Sequence, residues 1–162
     1  MTNLAPATTL PARLRRDFVA LREIAERLSL SLILLVMRIS VGMVFLNSGL
    51  LKIRSFEFAV KLFQDEYRLP FIDPLNGARL ATFCELVFPL FLIFGLATRL
   101  ATLPLLGMVA VIEIFVYPKA WVEHLLWASV LVMLLTRGPG KLSFDHLIER
   151  YAFGGRRGDQ SP

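Results

Sequence analysis

The sequence predicts an all-α integral membrane four-helix bundle preceded by an amphipathic interfacial helix. Hydrophobic residues make up 56% of its 162 positions and charged residues 19%, with a mean hydropathy of +0.61. A soluble domain of one-core size is usually less apolar and more charged. Four apolar runs come near the roughly 20 residues that a bilayer core requires, and short polar connections separate them. An open strand cannot satisfy its backbone in lipid, so the runs are read as helices.

Residues 1–9 are small and polar and are expected to form a disordered tail. Residues 10–28 read as a helix with Pro11 in its first turn. Leu14, Phe18, Leu21, Ala25 and Leu28 share one face, and Arg13, Arg15, Arg16, Arg22 and Glu23 lie elsewhere. Such a helix lies in the headgroup plane or docks on a partner's groove. A four-span domain is expected over residues 29–148, with spans at about 30–51, 78–97, 100–117 and 120–136 and a cytoplasmic tail at 149–162. The connections Thr98-Arg99 and Pro118-Lys119 are so short that the helices they join must be antiparallel neighbours. Between the first two spans, Ser55 is expected to cap a short helix with Phe56, Val60, Phe63 and Tyr67 on one side. Pro70, Pro74 and Asn76-Gly77 then break the chain, giving a helix and loop that cover one mouth of the bundle.

Four spans put both termini on one side. That side carries eleven Lys or Arg and the other six, so the positive-inside bias places both termini in the cytoplasm. The N-terminus shows no cleavable signal pattern, because no small-residue cleavage site follows its first long apolar run. The net charge of +5 does not point to nucleic acid, since the basic residues flank the apolar runs instead of clustering with aromatics. Cys84 is the single cysteine, so no intrachain disulfide redox pair exists, and it is expected to be a packing residue. The two histidines, His124 and His146, fall on opposite sides of the bundle, which argues against a bis-histidine haem. No P-loop, GxSxG or HExxH motif occurs.

Ionisable residues inside the spans carry the functional question, because each is costly in hydrocarbon and must face the bundle interior. Arg38 lies in span one and Glu85 in span two. Glu113 lies in the outer part of span three, and Glu123 and His124 open span four. Arg38, Gly42, Phe45, Gly49 and Lys52 form one stripe at helical spacing, with two glycines that let a neighbouring backbone approach. Arg38 is expected to pair with Glu85. Glu113 and His124 should sit at similar depth in the outer half, with Tyr117 on the face of Glu113 and Lys52 near enough to balance the charge. Such a group could hold a cation, relay protons, grip a polar headgroup or simply brace two helices. One histidine and scattered glutamates make a poor metal pattern. Trp121 and Trp127 are candidates for an interfacial aromatic belt.

The residues also resemble a known family. Arg38-Ile39-Ser40-Val41-Gly42 through Phe45 to Gly49-Leu50-Leu51-Lys52, then Glu85, Gly95-Leu96-Ala97-Thr98-Arg99, and Arg137-Gly138-Pro139-Gly140-Lys141-Leu142-Ser143-Phe144-Asp145 look like the DoxX family of small bacterial membrane proteins. The stretch Glu113 to Trp121, continuing through His124 to Trp127, is similar to a branch found near genes for metal-handling modified peptides. The resemblance implies four helices in the bacterial inner membrane. It also implies an association with a thiosulfate:quinone oxidoreductase subunit or with complexes that manage oxidative stress. The resulting expectation is an accessory subunit of a membrane redox or stress-response complex that contacts a quinone, a partner protein or a second copy, and is not catalytic on its own. A quinone-reactive oxidoreductase subunit and a helper for transport or export of a solute, metal or peptide remain the alternatives.

Overall fold

The computed structural model describes residues 29–153. The tail at 1–9, the interfacial helix at 10–28 and the last part of the tail, from 154, lie outside the described residues. Helix α1 spans Leu30–Arg54. Its buried residues, Leu34, Arg38, Val41, Gly42, Phe45 and Gly49, recur at three- and four-residue steps and so make one inward stripe. The opposite face presents Leu32, Val36, Ile39 and Met43 outward. Apolar residues on both faces are the mark of a helix that meets protein on one side and lipid on the other.

Helix α2 covers Phe56–Leu62 and runs on into a wider π turn, Phe63–Tyr67. Helix α3 spans Pro74–Phe94 and α4 spans Thr98–Val111, continued by a second π turn at Ile112–Val116. Helix α5 is Trp121–Arg137 and α6 is Phe144–Phe153. Among the described residues α1, α3 and α4 with its π turn are long and apolar enough to cross a membrane. Helix α5, at 17 residues, stands at the lower limit of length for crossing. Leu34, Val41 and Phe45 of α1 pack with Leu92, Ala101, Leu105, Val109, Leu131 and Leu134 in one core, so the four long helices form a bundle. The protein is an all-α membrane protein whose outer surface contacts the bilayer.

Three boundaries differ from the sequence expectation. Pro74 and Asn76-Gly77 do not break the chain before span two. Asp73 caps α3 by accepting from the Leu75 and Asn76 amides at 3.2 and 3.3 Å, and Pro74 takes the first helical position, where its missing N–H costs nothing. Ser55 stands at the start of α2, where its non-helical backbone (φ −134°, ψ 61°) separates α2 from α1 and its carbonyl accepts from the Ala59 amide at 3.1 Å, but its side chain makes no capping bond. The expected tail from 149 begins inside α6, where the Ser143 hydroxyl accepts from the His146 amide.

Close approach of α1 and α3 sets the depth of everything else. A Cβ on Gly49 would meet Glu85 Cβ at 2.9 Å and the Glu85 carbonyl carbon and oxygen at 3.0 and 3.1 Å. Pro89, four residues on, has no N–H to offer that carbonyl, at the point where the bare Gly49 meets it. Gly49→Ala is expected to lower stability by about 2 kcal/mol, because backbone, unlike a side-chain tip, cannot swing aside. Thermal unfolding in detergent checks this, and an unchanged midpoint would contradict the tight crossing.

At the far end of the bundle, the tail end, α3 stops at Gly95, whose φ of +69° favours glycine. Arg38 is completely buried beneath it, touches Gly95 with Nη1 and donates from Nη2 to the Leu142 carbonyl. Ala97 also takes a left-handed φ, 44°, and α4 opens there with no cap of its own. Asp145 supplies one from α6: its carboxylate accepts from the Ala97 amide at 2.6 Å and the Thr98 amide at 3.0 Å.

Candidate functional site

The other end of the bundle holds a cavity of about 670 Å³. Phe45, Ser48 and Lys52 of α1, Ala81, Cys84 and Glu85 of α3, Pro104, Gly107 and Met108 of α4, and Glu123, His124 and Trp127 of α5 line it. The segment between α1 and α3 covers it with Phe63, Tyr67, Leu69, Phe71 and Ile72. This cover is fastened at three points. Phe63 presses on Gly77, where an added Cβ would come within 2.7 Å of its ring. Phe71 stacks edge-on with Phe115, and Tyr67 with Tyr117. The Tyr117 hydroxyl donates to Glu66 Oε1 at 2.5 Å. Burial first, then neighbouring Tyr117, pushes the Tyr67 phenol well above its ordinary pKa, so it remains a hydroxyl donor.

Two hydrogen-bonded polar groups stand on walls that are otherwise apolar apart from Glu123 and the Tyr67 and Tyr117 hydroxyls. On one, Lys52 Nζ donates to Glu85 Oε2 at 2.7 Å, to Oε1 at 2.9 Å and to Ser48 Oγ at 2.8 Å, and the Ser48 hydroxyl donates to Glu85 Oε1 at 3.2 Å. The Glu85 side chain is 4% exposed and that of Lys52 13%, so the charges answer each other inside the protein. On the other, His124 Nδ1 lies 2.5 Å from Glu113 Oε2. An ionised carboxylate only accepts, so Nδ1–H then donates and Nε2 is left as the second polar atom of the ring. His124 is buried, while Glu113 is about a third exposed and reaches it from outside the cavity.

The six site residues read from the sequence therefore separate. Arg38 does not pair with Glu85. Gly49 is level with Glu85, and Arg38 lies eleven residues back along α1, about 16 Å away and beyond the reach of a guanidinium. The last turn of α3, not its middle, comes level with Arg38. Lys52, three residues beyond Gly49, takes Glu85 instead, and so does not balance Glu113. Tyr117 does not share the face of Glu113. The π turn closes with an Ile112 carbonyl to Tyr117 amide bond, one residue longer than an α turn, and this swings Tyr117 round to Glu66. Glu113 and His124 do meet. Trp127 turns inward against Phe45 and His124, whereas Trp121 is exposed.

Ser48, Tyr67, Gly107 and Trp127 belong to the cavity without having been singled out as site residues. Ser48 had a signal, since it stands one helical turn before Lys52. Tyr67 and the cover depend on π turns, which have no distinctive residue pattern. Among the described residues no three His, Cys, Asp or Glu side chains converge as a metal site would require.

The sequence model of the DoxX family matches residues 33–118, from α1 through the second π turn. The chain belongs to the DoxX family. A curated relative from Haemophilus influenzae, described as an uncharacterized protein, is 31% identical over 127 residues, covering 72% of this chain and 83% of the relative. No solved structure matches the chain. The DoxX match takes in the Lys52–Glu85 wall, the cover and Glu113, while His124 and the Asp145 cap lie beyond it.

Proposed function

We propose that this DoxX protein is an accessory subunit of a bacterial inner-membrane redox or stress-response complex, and that its cavity holds a quinone-class molecule. The supporting observation is the cavity itself. Its volume suits a small organic ligand, its walls are mainly apolar, and its few polar groups sit on separate helices. A quinone ring is flat and neutral with an acceptor oxygen at each end. Tyr67 would donate to one oxygen and His124, when Nε2 also carries a proton, to the other, while the Lys52 and Ser48 hydrogens already go to Glu85 and Ser48. A bound quinone would supply two-electron redox chemistry. The chain's residues would orient the ring, exclude water and exchange protons through His124 and Glu113. With a single cysteine the chain has no dithiol of its own, which favours a partner as the source of electrons. The excess of Lys and Arg, eleven against six, favours cytoplasmic termini and a cavity in the outer leaflet.

Trp127 provides the test. In a Trp121→Phe background its fluorescence reports the cavity alone. Titration of the purified protein with 2,3-dimethyl-1,4-naphthoquinone should quench it saturably, and this ring has no free position for the Cys84 thiol to attack. Linear, unsaturable quenching would defeat the proposal.

A further inference from the structure

Helix α6 carries an apolar stripe that no protein covers among the described residues. Phe144, Leu147, Ile148 and Tyr151 recur at three- and four-residue steps, so they share one face, and all four are exposed. Asp145, His146, Glu149 and Arg150 lie on the remaining arc. Every residue from Leu147 to Ala152 is exposed, so protein holds only the first turn of the helix. A helix of ten residues is marginal in water, and four large apolar side chains on one face call for cover.

The place where that first turn is tied points to the cover. The Asp145 amide donates to the Gly95 carbonyl at 2.9 Å, and the Asp145 carboxylate takes the Ala97 and Thr98 amides. Gly95 and Ala97 form the tip of the α3–α4 hairpin, between two helices long and apolar enough to cross a membrane. The tip of such a hairpin stands at the headgroup layer, so α6 starts at that depth. Phe144, the first residue of the stripe, meets Phe94 edge-on with ring centroids 6.3 Å apart. Phe94 is exposed on the same outward face of α3 as Leu80, Phe83 and Leu90. The stripe therefore begins as a continuation of the surface that α3 turns to lipid. Charge agrees with this. Arg99, Arg137, Lys141 and Arg150 are exposed at this end, against the exposed carboxylate of Glu149 among the described residues, and anionic headgroups answer such an excess of cations.

We infer that α6 lies in the membrane interface, with Phe144, Leu147, Ile148 and Tyr151 inserted beneath the headgroups and Glu149 turned to water. The inference does not depend on what the cavity holds.

The full chain is given one tryptophan, Tyr151→Trp with Trp121→Phe and Trp127→Phe, and is placed in vesicles of phosphatidylcholine and phosphatidylglycerol. Phosphatidylcholine brominated near the top of its acyl chains should quench this tryptophan by about half or more, and acrylamide in the water should quench it little. Glu149→Trp, made in place of Tyr151→Trp, should show the reverse. Strong acrylamide quenching of Tyr151→Trp without an effect of bromine puts the stripe in water and overturns the inference. Shielding from both quenchers means that protein covers the stripe, whether a second copy or the segment before residue 29, and overturns it too. Equal quenching at the two positions shows that the helix presents no particular face to lipid, with the same consequence. If the tryptophan variants fail to fold, Tyr151→Cys in a Cys84→Ala chain, carrying a nitroxide label, decides. Collisions with oxygen exceeding those with a water-soluble nickel chelate support the inference, and any other pattern overturns it.

Discussion

Lys52→Met should lower the thermal midpoint of the purified protein sharply, and adding Glu85→Leu should recover most of the loss. The single change strands the Glu85 carboxylate, 4% exposed, with only the Ser48 hydroxyl at 3.2 Å to answer it. Breaking one side of a buried pair costs about 3–5 kcal/mol, whereas replacing both sides with apolar groups is often neutral or better. The same asymmetry is expected from the other side, with Glu85→Leu alone leaving the ammonium unpaired. Thermal unfolding in mild detergent, with all four forms compared, measures the coupling. A double variant no more stable than the worse single one would show that the pair is not the unit of stability. Because the pair also lines the cavity, a stable double variant becomes useful in its own right: it separates ligand loss from misfolding.

Asp145→Ala is the second large effect. Its carboxylate answers the Ala97 and Thr98 amides at 2.6 and 3.0 Å, at a point where α4 has no local cap and Ala97 is held at a φ of 44°. Hydrogen bonds to an ionised group contribute about 1.5–3 kcal/mol each, and the two together should be worth on the order of 3 kcal/mol after the loop relaxes. Hydrogen exchange should locate the loss, with the Ala97 and Thr98 amides gaining the most and those of the α1–α3 crossing little. Asp145→Asn keeps one accepting oxygen and should fall between. Uniform acceleration across all helices would mean that Asp145 is not a local cap.

The bundle was legible because its signals are strong and local. The α1 stripe from Arg38 through Gly42, Phe45 and Gly49 is a periodicity that lipid enforces, and the short connections at Thr98 and Pro118 leave no choice of neighbour. Depth was harder to read. One overlooked device, Asp73 before Pro74, moved the start of α3 by a full turn from the expected 78, and the expected partner of Arg38 changed with it. The pairing of Glu113 with His124 could be read from their equal distance to a tight turn. The placement of Tyr117 could not, because an extra residue in a helical turn leaves no mark in composition or period. Helix α6 had its sign in Ser143, three residues before the amide that it receives.

The cap on α4 also bears on how the chain is made. Asp145 comes 47 and 48 positions after the two amides that it answers. Synthesis therefore delivers the α3–α4 hairpin to the membrane well before the residue that completes its turn. Until α6 leaves the ribosome, the hairpin holds two bare amides and a strained alanine at its tip. Helix α6, which follows α5, closes the α3–α4 pair, so a nascent chain that stalls after α5 stays marked as unfinished at that tip.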